Sequence, residues 1–500
     1  MNQEKRYNPL VVIFDLWNLL KNSFFFVIFL FIIKYGSDSS FVKYGRIAFF
    51  IFFGITVISI ILKWFTHKYK LDDDSFHIYK GIFNKSERTI PFEKIQNVQR
   101  RTSLFHRVFR VTSISFETGM TGLDNAAVKF EVISRNEADY LEKWITNPLI
   151  VKSDEFDLVP SEENQQKTDL PRTIHFMPTK KDVLKASFTS LSFLVLIPIL
   201  LSIYFKITEV FKVEEKAEGF ITSILSSWWI IAIIITVLFL ASVLIGIIRT
   251  FMKYGKYEIS SDSKRIYITK GVFDESAFSI LKARVQAIEI TQSPMKRLLG
   301  LAEVKLISAG SISFGEEALE TNSLYPFLPV KRAYEMIHEV LPTYEVTNTM
   351  NHLPRKSFWI RLMKPSWFWI LVTIALFYFK PPIFKVDQAW WMVSAGLLVF
   401  IVFLRVLAYY NTRYILNGKF IQFKTGSLET SVFISKRNKI VEVKVSRSKL
   451  QQLLGLASIG TINHAKPFHY AGVEDIPIEM ADDFYTWYSG RVDEVEVDIK

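Results

Sequence analysis

One spacing pattern occurs three times along the chain. In each occurrence a glycine follows a strand-like segment, an aliphatic residue comes 14 positions later, and a serine comes 22 positions later. A self-similar period of this kind predicts repeated structural units, so it constrains the fold before any single residue is interpreted. The three occurrences, which we call the first, second and third copy, begin at Gly81, Gly271 and Gly426.

The copies also share a loop position 29 residues after the starting glycine. Gly300 and Gly455 stand there in the second and third copies, both within Leu-Leu-Gly-Leu-Ala, whereas the first copy has Arg110. Glycine is favoured where the backbone turns with a positive φ. We therefore predict structural turns at five glycines: Gly81, Gly271, Gly426, Gly300 and Gly455.

Long apolar stretches precede each copy. Half of the 500 residues are hydrophobic and 44 are Phe, which is more than a soluble chain of this length requires. A helix needs about 20 apolar residues to cross the hydrocarbon of a bilayer. Residues 366–379 form a weaker candidate span, which we expect to gain a turn from Trp359–Met363. Four stretches approach or reach the required length: residues 44–63, 186–205, 227–248 and 388–404.

The first span is ambiguous because it contains Asp15 and Lys21. A charge at mid-membrane costs about 2.5–3.5 kcal/mol. In one arrangement a helix from about Trp17 to Ile33 leaves Asp15 at the interface and lets Lys21 extend towards the headgroups. In the other, residues 9–21 form an in-plane amphipathic helix that leads into a shorter span.

The six spans are expected to pair into three hairpins. The segments inside each pair are too short to fold alone, so each pair of crossings returns the chain to its starting side. Lys and Arg are more frequent on the flanks of the large β-rich segments than in the hairpin loops, and such a bias marks the cytoplasmic side. We therefore predict a six-span cell-membrane protein with both termini in the cytoplasm.

Each copy opens with strand patterns and closes with a helical pattern, over residues 136–144, 330–341 and 480–488. Several short strands followed by one helix predict a small bent sheet or barrel that the helix covers at one end. The predicted fold class is three tandem repeats of two transmembrane helices plus a β-rich barrel with a C-terminal helix. The predicted hairpins are 1–63, 179–249 and 359–405, the barrels 64–150, 250–345 and 406–500, and the linkers 151–178 and 346–358.

The repeated motif resembles a known domain family. The repeat is similar to the bacterial pleckstrin-homology-like (PH-like) domain, which was once catalogued as a domain of unknown function. The shared pattern is a strand followed by Lys-Gly-Ile/Val-Phe, a serine and Leu-Leu-Gly-Leu-Ala. Three copies, each after a transmembrane hairpin, resemble the YdbT-type membrane proteins of Gram-positive bacteria. The first copy departs from the motif at Arg110, and the third has Val441 where the others have Gln. The resemblance implies a PH-like barrel and membrane residence, and it supplies no ligand.

No catalytic, cofactor or metal site is predicted. The absence of cysteine excludes disulfides and thiolate chemistry. The eight histidines show no metal-ligand spacing, and the densest pair, His464 and His469, is expected in a surface loop. Phosphate-binding, nucleophile-elbow and kinase motifs are also missing from the sequence. We therefore expect a protein that is not an enzyme and uses no cofactor.

Basic side chains cluster in the second half of each copy. The formal charge of +12 suits contact with an anionic lipid surface, and nucleic acid is not expected as a partner. The alternative is a solvated basic face without a ligand. Arg110 is the strongest single candidate because the other copies have glycine there. Headgroup or partner contact is predicted for Arg100, Arg101, Arg107, Arg110, Lys296 and Arg297.

Three functions remain open. The first is a non-enzymatic membrane scaffold whose three cytoplasmic PH-like domains bind lipid headgroups or protein, either a shorter PH-like membrane protein or a second copy of the chain. The second is a cell-envelope stress or antimicrobial-resistance factor that acts at the membrane. The third is a transporter subunit, which is disfavoured because most spans have charge-free cores.

Overall fold

The computed structural model describes residues 4–36, 39–72, 74–82, 84–118, 127–146, 172–187, 189, 228–308, 323–347, 349–380, 389–465 and 468–491. Within the chain, contacts define two compact units. Unit one comprises Met1–Arg172 and Tyr267–Leu281, and unit two comprises Thr173–Ile266 and Lys282–Lys500. A hairpin that the sequence places in the second copy therefore belongs to unit one.

The helices and strands follow the repeat period along the chain. The first part contains β1 Lys5–Arg6, α1 Leu10–Val27, α2 Ser40–Thr66, β2 Lys68–Leu71, β3 Ser75–Lys80, β4 Ser86–Pro91, β5 Ile95–Thr102, α3 Leu104–Val108, β6 Val111–Thr118, β7 Ala127–Ser134 and α4 Arg135–Thr146. The middle part contains β8 Thr173–Phe176, α5 Lys180–Ser187, α6 Trp228–Tyr254, β9 Glu258–Ser261, β10 Arg265–Lys270, β11 Glu275–Leu281, β12 Val285–Gln292, α7 Pro294–Leu298, β13 Leu301–Ser308, β14 Ser323–Pro329 and α8 Val330–Val340. The last part contains β15 Asn351–His352, α9 Arg355–Met363, α10 Trp367–Phe379, α11 Ala389–Asn411, β16 Arg413–Asn417, β17 Phe420–Gly426, β18 Thr430–Lys436, β19 Ile440–Ser446, α12 Lys449–Leu454, β20 Leu456–Asn463, β21 His469–Pro477 and α13 Ile478–Ser489.

All strand pairings within the sheets described here are antiparallel. In unit one, β1-β2-β3-β4 form one sheet and β7-β6-β5-β11 lie side by side in another. In unit two, one sheet has the order β14-β13-β12-β18-β17-β16-β15, and β19-β20-β21 form a separate three-stranded sheet. The first and third copies thus each consist of two sheets, whose inward-facing side chains share one hydrophobic core.

Large aromatic side chains fill the core of the first copy. Phe76 from the first sheet and Phe116 from the second are fully buried, and their ring centroids lie 5.3 Å apart. Leu141 and Trp144 of α4 are buried against the same core. Alternation along the strands places every second side chain inward, so the helix closes a core that two half-buried sheets have already formed.

Four helices in the described part of the chain are long and apolar enough to cross a membrane. They are Leu10–Ile33, Ser40–Thr66, Arg355–Phe379 and Trp390–Asn411. α6 coincides with the predicted span 227–248 and has no charged residue before Arg249. The predicted span 186–205 lies outside the described residues apart from 186, 187 and 189.

The first helix begins earlier than the predicted span from Trp17 to Ile33, and it is not divided near Lys21 as the in-plane arrangement expects. α1 starts at Leu10 and continues through a π-helical segment to Ile33 without a break. The Oδ1 atom of Asn8 accepts a hydrogen bond from the backbone N of Leu10 at 3.0 Å, which satisfies one of the backbone N–H groups that lack a partner within the helix. A continuous helix keeps its backbone groups paired, whereas a break near Lys21 would leave several of them without partners.

A short strand before each helix pair joins the strand that follows the pair. Lys5 of β1 lies opposite Tyr69 of β2, and Asn351 of β15 lies opposite Tyr414 of β16. β8 and β9 pair in the same way. In the first and third copies the strand before the two helices therefore pairs with the strand after them, so both ends of the helix pair lie close together. This arrangement is what a helical hairpin requires.

Candidate interaction site

A strand of one copy pairs with a strand of the next copy, and we call each such strand pair a joint. Unit one contains the first joint. β5 of the first copy pairs antiparallel with β11, which the sequence places in the second copy. Ala277 lies opposite Arg100, and Ser279 lies opposite Val98. The second sheet of the first copy is therefore extended by a strand from the next copy, in the manner of β-strand addition.

Unit two contains a second joint of the same kind. β12 of the second copy pairs with β18 of the third, with Val432 opposite Ile290. Ala277 and Val432 each stand six residues after the glycine of their copy, and Arg100 and Ile290 each stand 19 residues after theirs. The two joints therefore have identical register. Register is fixed where a slip would expose the core-facing side chains.

Arginines flank the first joint. The guanidinium of Arg101 binds Asp274, with Nη2 2.7 Å from Oδ2. Nη2 of Arg107 lies 3.1 Å from Oε1 of Glu275 and donates to the carbonyl oxygen of Val272 at 3.0 Å. Hydrogen bonds between charged groups are shorter and stronger than neutral ones. The basic cluster of the first copy thus holds the turn and first residue of the incoming strand.

The second joint repeats this contact with a neutral acceptor. Nη2 of Arg297 donates to Oγ1 of Thr430 at 2.7 Å. Arg297 occupies the repeat position of Arg107, and Thr430 occupies that of Glu275. The same side-chain position on the short helix therefore contacts the same position of the incoming strand in both joints.

Buried polar side chains hold the second joint at the end of the β12–β18 pair that lies away from Arg297 and Thr430. Nδ2 of Asn463 donates to Oγ of Ser435 at 2.8 Å and to the carbonyl oxygen of Lys439 at 2.9 Å. Oγ of Ser435 donates in turn to the carbonyl oxygen of Gln286 at 3.1 Å. Asn463 and Ser435 are fully buried. These buried donors favour the one register in which they find acceptors.

The repeated turns lie at positions that strongly favour glycine. The φ angles of Gly81, Gly271 and Gly426 are 119°, 97° and 116°, and a Cβ at any of them would lie 1.9–2.0 Å from a backbone oxygen. At the second turn position φ is 55° for Arg110, 66° for Gly300 and 69° for Gly455. Arg110 therefore adopts the left-handed backbone of its glycine counterparts, where the added Cβ meets open space in the other copies.

A model of the bacterial PH domain matches residues 24–149, 192–342 and 369–492. The chain belongs to the bacterial PH domain family. It is 24% identical over 496 residues to UPF0699 transmembrane protein YdbT of Bacillus subtilis (strain 168), with 98% of this chain and 99% of that protein covered. No solved structure matches the chain. Each match to the PH family covers one copy together with part of the apolar region before it.

The predicted contact residues of the PH-like copies are mostly engaged within the protein. Besides the contacts of Arg101, Arg107 and Arg297 at the joints, Arg100 forms an ion pair with Asp139 of α4. Nζ of Lys296 lies 2.8 Å from Oε2 of Glu303, and both side chains are largely shielded. Arg110 is exposed and has no carboxylate partner among the described residues. Headgroup contact by these six residues stays a prediction.

The third PH-like copy ends in an open sheet edge. Within the described residues β19 pairs with β20 on one side only. Val441 and Val445 of β19 are 51% and 39% exposed, whereas Ile290, the counterpart of Val445 in the second copy, is 3% exposed. The difference arises because β18 covers β12 at the second joint. An apolar edge strand invites pairing with another chain.

The first PH-like copy has an edge of opposite character. β4 is the last strand of its sheet within the described part of the chain. It carries Glu87 and Arg88 where β18 has Val432 and Phe433, and it ends at Pro91. Charged residues and proline on an edge strand prevent pairing with other strands. The two terminal edges are therefore not equivalent.

The sequence analysis did not identify a buried ion pair between α9 and β21. Asp475 is fully buried with φ of 63°. Its Oδ2 accepts a hydrogen bond from Nε of Arg361 at 3.2 Å, and its Oδ1 accepts one from Nε2 of Gln451 at 2.7 Å. Arg361 belongs to α9, so this pair connects the base of the helices to the PH-like copy. The one sequence signal was an acidic residue directly before Ile476-Pro477.

His469 lies at the start of β21, not in the surface loop that the sequence suggested. Its ring stacks on Phe433 with centroids 5.5 Å apart, and burial lowers the pKa of His469 below its usual value. As pH falls below about 6.5, the unfolded chain gains a proton that the folded chain resists, so stability should decrease. We expect His469→Gln to reduce this acid-induced loss, measured as Tm between pH 7.5 and 5. An equal effect of His352→Gln, at an exposed site, would contradict the assignment.

Proposed function

We propose that the chain is a non-enzymatic integral membrane scaffold that presents three joined PH-like domains in the cytoplasm and binds protein through them. The observation that carries this proposal is the repeated strand pairing of β5 with β11 and of β12 with β18 in one register. A joint holds strands of two copies in a fixed register. Binding sites on the two copies can therefore be presented together to a protein partner. Its basic side chains contact protein groups, which favours protein over headgroup recognition.

Six spans with both termini in the cytoplasm form part of this proposal. The pairing of β1 with β2 and of β15 with β16 supports hairpins whose ends lie on one side. Reporter fusions in the linker after Gln165 and after Lys500 should fluoresce as cytoplasmic proteins. A phosphatase fused in the loop at residues 206–226 should be active outside. Phosphatase activity at either cytoplasmic position would refute the topology.

The scaffold itself is tested by separating two copies. Val432 is buried opposite Ile290, so Val432→Lys would place a charge inside the second joint. We expect the variant to be cleaved between copies about tenfold faster in limited proteolysis, corresponding to about 1.4 kcal/mol. Tyr485→Lys, at an exposed site on α13, is the matched control.

Binding of protein is tested with the tagged full-length chain purified from native membranes. A defined protein should co-purify in near-stoichiometric amount with the wild type and less with Val432→Lys. If only lipid is recovered with the wild type, the protein-binding scaffold is wrong.

A further inference from the structure

We infer that β19, the open edge of the third PH-like copy, binds the last strand of the first sheet of a PH-like domain carried by a different chain. This inference rests on the proposed scaffold function and specifies its partner. β19 occupies the repeat position of β5 and β12, and both of those strands receive such a strand within the chain. The third copy is the only one among the described copies whose equivalent edge is uncovered.

The apolar residues of β19 match those buried at the joints. Val443 and Val445 occupy the repeat positions of Ile288 and Ile290, which lie opposite Ile434 and Val432 of the incoming strand. Pairing in the same register would place two apolar side chains of the partner opposite Val443 and Val445. Apolar cross-strand pairs stabilise antiparallel strands, and main-chain hydrogen bonds supply the remaining affinity.

Basic side chains around β19 indicate which residues the partner should carry in the turn before its docking strand. Lys444, Arg447 and Lys449 are exposed, and none has a carboxylate partner among the described residues. At the first joint, the basic side chains in this region bind Asp274 and Glu275, which precede and begin the incoming strand. The partner should therefore carry acidic residues in the turn before its docking strand.

A second copy of this chain does not meet these requirements. Among the described residues, β4 is the only equivalent of the docking strands β11 and β18 that is not already paired with another copy. In the register of the joints, Arg88 would lie opposite Lys444, and Lys85 would lie opposite Arg447. Like charges directly opposite each other destabilise strand pairs. The same register would place Glu87 opposite Val445, so the charges on β4 disfavour head-to-tail self-association.

The chain's own last residues are the competing occupant. The phenol of Tyr488 donates to the carbonyl oxygen of Val441 at 2.8 Å, and Arg491 donates to that of Ile440. Arg491, the last described residue, therefore lies beside the beginning of β19, and the sequence of residues 492–500 is rich in acidic side chains. A strand running from that point along β19 would be parallel to it, whereas both joints are antiparallel.

Cross-linking from a single cysteine distinguishes these occupants, because the chain contains no cysteine. Lys444→Cys in the full-length protein is labelled with a thiol-directed photo-cross-linker in native membranes, and cross-linked peptides are identified by mass spectrometry. We expect a peptide from the first sheet of a PH-like domain of another chain. Glu87→Cys, on the charged edge, is the matched control and should give no such product.

Every other result overturns the inference. Cross-links to residues 492–500 would show that the chain covers its own edge. Cross-links to Ser86–Pro91 of a second copy would show self-assembly, and cross-links to an unrelated protein, or to none, would exclude a PH-like partner.

A second variant separates this inference from the scaffold itself. Val445→Lys should reduce the co-purified partner at least about tenfold without changing the amount of protein in the membrane, because a charge opposes the apolar pairing. Tyr485→Lys should leave recovery unchanged. If a partner co-purifies with the wild type but Val445→Lys does not release it, only the docking edge is wrong. If no protein co-purifies with the wild type, the scaffold fails as well.

Discussion

Asp475→Ala should destabilise the third PH-like copy by about 3–5 kcal/mol, because it leaves a shielded guanidinium without its carboxylate. Asp475 is fully buried, and the side chain of Arg361 is 13% exposed. The substitution also removes the acceptor for Nε2 of Gln451. The loss should appear as a lower urea midpoint in pulse proteolysis of the detergent-solubilised protein.

The adjacent acidic residue supplies a matched control. Glu474 pairs with Lys364 at 2.5 Å, but both side chains are exposed. Exposed ion pairs contribute about 0–1 kcal/mol, so Glu474→Ala should change the midpoint little. Equal losses for the two variants would show that the buried pair has no special importance. Asp475→Asn, which tolerates the left-handed backbone, separates loss of charge from backbone strain.

Gly426→Ala should destabilise the same copy by about 3 kcal/mol or more. The new Cβ would lie 2.0 Å from the backbone oxygen of Glu429, and φ of 116° is outside the range that L-residues readily adopt. The backbone must therefore move, which disturbs the hairpin that carries β18 to the second joint. Thermal unfolding of the purified protein measures the loss.

Gly455→Ala tests whether the clash or the backbone angle dominates. Gly455 also has a positive φ, of 69°, but nothing lies within 4 Å of the position of its Cβ. The cost should therefore be about 1–2 kcal/mol, the usual cost of the left-handed conformation. Arg110 shows that a side chain is accepted at this position. A loss as large as that of Gly426→Ala would contradict the explanation by close contact.

The sequence predicted local features of the fold well. The terminal helices were expected over 136–144, Val330–Leu341 and 480–488, and the structure has Arg135–Thr146, Val330–Val340 and Ile478–Ser489. Helical periodicity is set by residues three or four apart, so it is visible in a single sequence. The family match confirms the resemblance that the repeated motif suggested.

Contacts between distant residues were not predictable in the same way. Nothing local in β11 or β18 shows that each pairs with a strand of the preceding copy, because an edge strand and a covered strand share the same alternation. Arg101 and Arg107 therefore looked like a basic surface, although their partners lie more than 160 residues further along the chain. The Asp475 pair was missed for the same reason.

Identical register at both joints has an evolutionary consequence. A head-to-tail contact that does not close into a ring can be repeated with the same pair of surfaces. An additional copy produced by duplication of a gene segment could therefore pair with its neighbour through the existing contact. The two directions are not equivalent, because Glu87 and Arg88 disfavour pairing at β4 of the first copy. Strand pairing therefore favours adding a further module, on the same chain or on a separate polypeptide, after the third copy rather than before the first.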